Sequence, residues 1–341
     1  MKRNMMMGTI VCTFCSMLAI AFTPAAYAED ATQFTMSTSD TESTGEFTVT
    51  LKGEQLTDLF AYEAKFSIDA SNLEVVKAET KIEGFSISPI VKDNEVTIAH
   101  TKIGKVDGEK GDVILGTITF KAKKVGTTNV KWTSLKTVDH TLKNQVFTMN
   151  ASQDFTKVFS DLAGHWAKPD IMEMVGKQIV EGMDDDHFAP DTNVTRAQFA
   201  TLIAKVLNLK DSTGQTPFDD VASGSWYEST VKKAYAAGLI DGISEHEFAP
   251  EKNITREEMT AMLIRAKAQA AGIKVQDMPA NGEIPFQDEA EVSECAKPFV
   301  QLAVEAGLMN GRSELAFAPQ EHASRAEAVV VLKRLLKEVA K

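Results

Sequence analysis

Cysteine is almost absent from this chain. Of the three in 341 residues, Cys12 and Cys15 fall in the first 28, which leaves Cys295 without a partner for an internal disulfide. Stability must therefore come from packed cores and not from staples. Basic charge is also short: the formal net charge is -12, and removing Lys2 and Arg3 with the leader takes it to -14. That excludes a nucleic-acid reader, which needs a basic face. Beyond residue 28 no apolar run is long enough to span a bilayer. His100 and His140 stand alone without metal-ligand spacing, so no metal and no cofactor are expected. Nor can a nucleophile, base and orienter be assembled, which argues against an enzyme.

The leader itself is legible. Lys2 and Arg3 form a basic start, Met5 to Phe22 is mostly apolar, and Ala26-Tyr27-Ala28 supplies small residues for cleavage. Residues 1–28 therefore read as a secretory signal peptide. Phe14 stands before Cys15 where a lipoprotein would need a small residue. The rest is expected to be exported, and its length suits two or more domains.

Residues 31–150 alternate with period two, as half-buried strands do. Phe60, Tyr62, Ala64, Phe66 and Ile68 fall on one strand face, with Ala61, Glu63, Lys65 and Ser67 on the other. Turn signals such as Lys92-Asp93-Asn94, Asp107-Gly108 and Val125-Gly126 separate such runs, which predicts an all-β antiparallel sandwich. The order from Phe60 through Asp69 to Leu73-Glu74-Val75-Val76, with Gly116 to Lys123 later, resembles a cohesin domain, although Ile68 stands where that family has an aromatic. The resemblance implies nine strands and a sheet face that holds a dockerin module. It places Glu63, His100 and Lys102 near that face, where a plain solvated strand is the competing reading. Trp132 is the only tryptophan there and is a candidate for the core.

Residues 151–158 read as a short polar linker, and beyond it the chain repeats itself. Thr195-Arg196-Ala197-Gln198, Thr255-Arg256-Glu257-Glu258 and Ser324-Arg325-Ala326-Glu327 each stand seven residues after the Phe of a Phe-Ala-Pro triplet (Phe188, Phe248, Phe317). Each has the form of a capping box ahead of an apolar run, so three helices start here. An arginine in the first helical turn opposes the helix dipole. At three equivalent positions it implies a carboxylate partner or an anionic ligand, and ligand binding is the reading preferred here. Upstream, Trp166, Trp226 and Cys295 each lie sixteen residues before Gly182, Gly242 and Gly311. Apolar residues spaced by four between them predict another helix, stopped near Gly238 or Gly307, with Gln178 at that place in the first copy. The unit is helix, loop, helix, and it cannot bury its apolar face alone. Asp184-Asp185-Asp186 has no acidic cluster opposite it in the other copies, which carry only Glu245 and Glu314 there, and it reads as a solvated turn, while Gln269 to Pro285 reads as a longer connector.

The copies open alike, with Phe159-Ser160-Asp161, Phe218-Asp219-Asp220 and Phe286-Gln287-Asp288. Phe-x-Asp, a Trp, a Gly turn, Phe-x-Pro and Thr-Arg-x-Glu in that order resemble the S-layer homology (SLH) domain, in copies at 159–209, 218–271 and 286–341. The resemblance implies an all-α, pseudo-threefold trimer of repeats with ligand grooves between them, and a pyruvylated secondary polysaccharide of the Gram-positive wall as ligand. It implies that Arg196, Arg256 and Arg325 receive the ketal carboxylate. Asp161, Asp220 and Asp288 would accept sugar hydroxyls or orient the arginines, Trp166 and Trp226 would pack on a sugar face, and Gly182, Gly242 and Gly311 would allow close approach. Taken alone, the Trp and Gly residues suit core filling and turns better. With Cys295 for Trp and Ser324 for Thr, the third repeat implies a weaker groove or one that only closes the assembly, Cys295 being a small buried hydrophobe.

The expectation is a non-catalytic cell-surface anchor, secreted to the wall, whose sandwich displays a dockerin-binding face. An S-layer structural protein, or an adhesin whose sandwich binds carbohydrate, is the alternative.

Overall fold

The computed structural model describes residues 31–339 except 213, 280 and 281. The signal peptide read at 1–28 lies outside the described residues.

Twelve strand segments build the first domain: β1 (Gln33–Thr38), β2 (Glu42–Ser43), β3 (Glu46–Leu59), β4 (Ala61–Ser67), β5 (Leu73–Glu79), β6 (Phe85–Ser86), β7 (Ile90–Lys92), β8 (Glu95–Thr101), β9 (Glu109–Ala122), β10 (Gly126–Val138), β11 (Asn144–Thr148) and β12 (Ser152–Lys157). Setting aside β2, β6 and β7, fragments of two or three residues, leaves nine. One sheet runs β1-β3-β9-β5 and the other β2-β12-β10-β4-β8-β6, with β11 on β10 and β7 on β8. Pairing is antiparallel except between β12 and β2. The predicted faces hold: Tyr62, Ala64, Phe66 and Ile68 are buried and Glu63 is exposed. Phe47 stacks on Phe155 at 4.0 Å and on Phe120 at 5.5 Å, and Trp132 is wholly buried against Phe66. Large stacked rings dominate the burial in a core of this kind.

The expected linker at 151–158 is instead the last strand of the sandwich, β12. Its polar residues hid the alternation: Phe155 and Lys157 point inward, and the ammonium of Lys157 donates to the Lys123 carbonyl at 2.9 Å. The same ammonium pairs with Asp186 of the first repeat at 2.8 Å, so the acidic turn is not merely solvated. Lys168 and Glu42 make a second ion pair across the two domains.

Six helices follow: α1 (Lys168–Gly176), α2 (Arg196–Val206), α3 (Glu228–Ala236), α4 (Arg256–Ala271), α5 (Lys297–Glu305) and α6 (Arg325–Val339). The first helix of each repeat ends at a left-handed residue, Gly238 at φ +68°, Gly307 at +65° and Gln178 at +59°. Gln178 takes the glycine's conformation in spite of its side chain. Helix α4 runs into the expected connector and closes on Gly272 at φ +67°. Helices α2, α4 and α6 pack on one another, while α3 packs on α2, α5 on α4 and α1 on α6. Each first helix thus leans on the second helix of the preceding repeat, and the first repeat leans on the third. Single bridges Thr195–Asn253, Thr255–His322 and Asn193–Ser324 close the same cycle.

Candidate functional site

All three capping boxes form. Thr195 and Thr255 accept from the backbone of Gln198 and Glu258 while those side chains return the bond. Ser324 accepts from Glu327 N at 3.2 Å, and Glu327 accepts from Ser324 N at 2.9 Å. The box fixes the next residue, the arginine, at the helix start and aims it at the neighbouring repeat.

There the expectation that the arginines stand ready for a ligand meets a correction. Arg196 Nε donates to the Phe248 carbonyl at 2.7 Å and Nη2 to the Asp241 carbonyl at 3.0 Å. Arg256 does the same to Phe317 and Asn310, and Arg325 to Phe188 and Glu181. Each guanidinium lies over the ring of that same phenylalanine, 4.6 to 5.0 Å from its centroid. Arg196 and Arg256 are 4% and 3% exposed, and Arg325 is half-buried. Burial pulls the Arg196 and Arg256 guanidiniums below their ordinary value, while Glu258 and Glu327 hold them up. Their first work is structural: they tie repeat one to two, two to three and three to one. Opposition from the helix dipole is met by carbonyls of another repeat, which no spacing along the chain reveals.

The aspartates have backbone partners too. Asp161 accepts from Phe188 N and Ala189 N, Asp220 from Phe248 N and Ala249 N, and Asp288 from Phe317 N and Ala318 N. Each carboxylate clamps the turn whose carbonyl the arginine takes, so the aspartates orient the arginines through the backbone. Ala189, Ala249 and Ala318 are held there at φ of +58°, +56° and +57°. Gly182, Gly242 and Gly311 are required inside their own repeats: a Cβ would lie 2.4, 2.8 and 2.5 Å from the ring of Phe159, Phe218 and Phe286.

The tryptophans go the other way. Trp166 and Trp226 are 62% and 58% exposed, so core filling is overturned. Cys295, at the equivalent place, is exposed as well, contrary to the buried hydrophobe expected.

Trp166 borders a groove of about 560 Å³. Its walls are Arg256 from the second repeat, the Asn310-Gly311-Arg312 loop with Glu327 and Arg334 from the third, and Trp166 from the first. Glu327 accepts from Arg256 at 2.8 Å and from Arg312 through both Nε and Nη2, at 3.1 and 2.9 Å. Burial pushes the Glu327 carboxyl up, but Arg312, Ser324 N and Arg256 outweigh it and leave the group below the usual carboxylate value. Sequence reasoning missed Arg312 and Arg334. Arg312 has Met183 and Ile243 as its equivalents, so no repeat pattern marks it; Arg334 matches Lys205 and Arg265 in charge, but its meeting with Arg312 depends on how the loop and helix α6 come together.

On the sandwich, Glu63 is exposed on β4, between Lys136 on one flank and Ala99 on the other. His100 is a correction: it is 4% exposed, its Nδ1 lies 2.8 Å from Ser86 Oγ, and burial lowers its pKa. Strand β6 covers it. Lys102 is largely buried and paired with Glu109. The same edge exposes Phe85, Ile87, Ile90 and Val91.

Comparison with known proteins decides the family. The S-layer homology domain model matches residues 158–200, 217–260 and 285–329, and the cohesin domain model matches 31–154. The chain carries three SLH domains behind a cohesin domain. It is 35% identical over 231 residues to the amylopullulanase of Thermoanaerobacterium thermosulfurigenes, covering 68% of this chain and 11% of that one. It is 27% identical over 187 residues to the surface-layer 125 kDa protein of Lysinibacillus sphaericus, covering 53% and 15%. The chain thus spans a small part of these relatives' own length. Among solved structures, a cohesin module from a family 33 glycoside hydrolase of Clostridium perfringens aligns with TM-score 0.33 at 18% identity, over 37% of this chain and 95% of that one. Both module types are non-catalytic. Among the described residues no helix is long and apolar enough to cross a membrane, and no group of three or more potential metal ligands comes together.

Proposed function

We propose that this protein is a non-catalytic tether of the cell surface: its SLH domains hold an anionic wall polysaccharide and its cohesin domain presents a docking face. The observation that carries the reading is the groove beside Trp166, where three arginines face two carboxylates, Glu327 and Asp191, under an exposed indole. Cations paired with an aromatic platform suit a sugar that bears a carboxylate, such as a pyruvate ketal. The closed cycle of helix packing and arginine bonds supports reading the three SLH domains as a pseudo-threefold assembly. By that cycle, each groove takes its arginine, its glycine loop and its indole from three different repeats. Cys295 then falls to the groove of the second repeat's loop, and the third repeat's loop keeps a full set.

For the cohesin domain, a dockerin-like protein partner is favoured by the aliphatic and phenylalanine patch around Phe85, with Glu63 beside it. Trp132 is buried, so it offers no platform for the carbohydrate-adhesin alternative. The deciding experiment is sedimentation of the chain with purified Gram-positive sacculi before and after mild acid removes ketals. Binding lost with the ketal supports the anchor; binding indifferent to acid, or none, overturns the ligand assignment.

A further inference from the structure

The groove beside Trp166 and the matching places in the other two repeats are not equal, and the inequality lies in residues outside the repeat's signature. Nine residues after each helix-opening arginine stands a second cation: Lys205, Arg265 and Arg334. Immediately before each turn glycine stands Glu181, Asp241 or Asn310. The two positions face each other within a repeat. Lys205 pairs with Glu181 at 3.7 Å, and Arg265 pairs with Asp241 at 2.5 Å. In the third repeat the partner is a neutral amide. Arg334 Nη1 donates to the Leu308 carbonyl at 3.0 Å, and the Asn310 amide, turned to satisfy its neighbours, accepts from Nη2 at 3.3 Å. Among the described residues Arg334 has no carboxylate partner, and it lines the groove that holds Trp166.

Arg312 adds to the asymmetry. Its equivalents are Met183 and Ile243, so only the third loop brings a guanidinium to this place, held by Glu327 at the groove wall. The third-repeat groove also holds Glu327 and Asp191, but Glu327 is taken up by Arg256 and Arg312, so an entering anion still meets Arg334 unpaired. In the other two repeats the cation at this place is already paired with the acid before the glycine, and like charges brought together at a binding surface are strongly unfavourable.

Resting on the wall-binding reading above, we propose that Asn310 and Arg334 make the third-repeat groove the one that takes the ligand carboxylate, and that Glu181 and Asp241 close the other two to anions. The repeat that departs most from the signature is then the anion-specific one, and residue identity before the glycine sets that specificity.

The test is titration calorimetry of the full chain with a pyruvate-ketal hexosamine glycoside and with its methyl ester, which keeps the shape and loses the charge. The parent is expected to bind one equivalent of the acid, in preference to the ester. Asn310→Asp, which restores the acid that the other repeats carry, should weaken binding of the free acid by at least about tenfold. Arg334→Gln should lower the acid-over-ester preference in the same direction. The double change Glu181→Gln with Asp241→Asn works by gain and should raise the stoichiometry above one. Acid binding unchanged by Asn310→Asp, or three equivalents bound by the parent, would overturn the proposal. A parent that binds acid and ester alike would sink the proposal and leave wall binding standing. A parent that binds neither, and does not sediment with ketal-bearing sacculi, would remove both.

Discussion

The two halves of the chain solve the same problem with different materials. The sandwich closes on stacked rings, Phe47, Phe120, Phe155, Phe66 and Trp132, and keeps most of its charge outside. The SLH half has an apolar core too, but its repeats are joined to each other by arginines sunk beside phenylalanine carbonyls. Apolar contact is tolerant of small errors in position, whereas a buried guanidinium needs its acceptors in place. The first half is therefore held by area, and the second by a cycle of directional bonds that fails if one repeat is misplaced.

The sharpest break in that comparison is Arg256→Ala. It strips Glu327, the Phe317 carbonyl and the Asn310 carbonyl of a donor in a site that is 3% exposed, and should cost about 3–5 kcal/mol. Chemical denaturation should show the loss in the helical signal. With these bonds in place, truncating a helix-opening arginine is first a change to the fold and only then one to any ligand. Arg325→Ala removes two carbonyl bonds and no ion pair at a half-buried site, so its cost should be smaller, about 1.5–3 kcal/mol. Equal losses would refute the role given to Glu327. That carboxylate also sets a pH limit, because its folded value is depressed below the unfolded one. Its contribution is complete above the unfolded value of about 4.3 and fades as pH falls through the folded one. Glu327→Gln should flatten that part of the acid denaturation curve.

Next in size is Gly311→Ala. A methyl there would sit 2.3 Å from the Ser313 carbonyl and 2.5 Å from the Phe286 ring, and such overpacking costs about 1–3 kcal/mol. Thr195→Ala should cost about 1 kcal/mol for the lost cap. A smaller loss at Gly311 than at Thr195, measured by thermal unfolding, would mean the loop yields easily and that the glycine is kept for another reason.

How much of this was legible follows from which contacts are local. Alternation at Phe60 to Ile68 and the [ST]-x-x-[EQ] boxes are short-range patterns, and both appear in the structure as read. Strand β12 escaped because its inward positions hold Phe155 and then a lysine, whose stem packs while its ammonium finds a carbonyl. Trp166 and Trp226 are exposed, as a sugar-facing role requires, whereas the arginines read as ligand-facing are largely taken up by bonds between repeats. Exposure depends on which repeat comes next in space, and the sequence holds the repeats in a line where the fold holds them in a cycle. For the same reason the groove could not be assembled: Trp166 and Arg334 are far apart along the chain and border one cavity.

The smallest expected effect on stability falls on the residue expected to matter most for the ligand. Trp166→Ala removes a side chain that is 62% exposed, and surface changes of this kind stay within about 0.5 kcal/mol. Its ring does touch His165, with centroids 5.6 Å apart, but that neighbour also supports the next backbone N–H, from Ala167, without the indole. Thermal unfolding should therefore match the parent while sedimentation with ketal-bearing sacculi falls. Trp226→Ala should likewise leave unfolding unchanged and should cost less wall binding, because the anion-accepting groove is bordered by Trp166. If both substitutions leave wall binding intact, the indoles are not the platform and the arginines alone must hold the sugar. If Trp166→Ala instead lowers the melting temperature as far as Thr195→Ala does, the division between residues that hold the cycle and residues that face the ligand is wrong at its most exposed point.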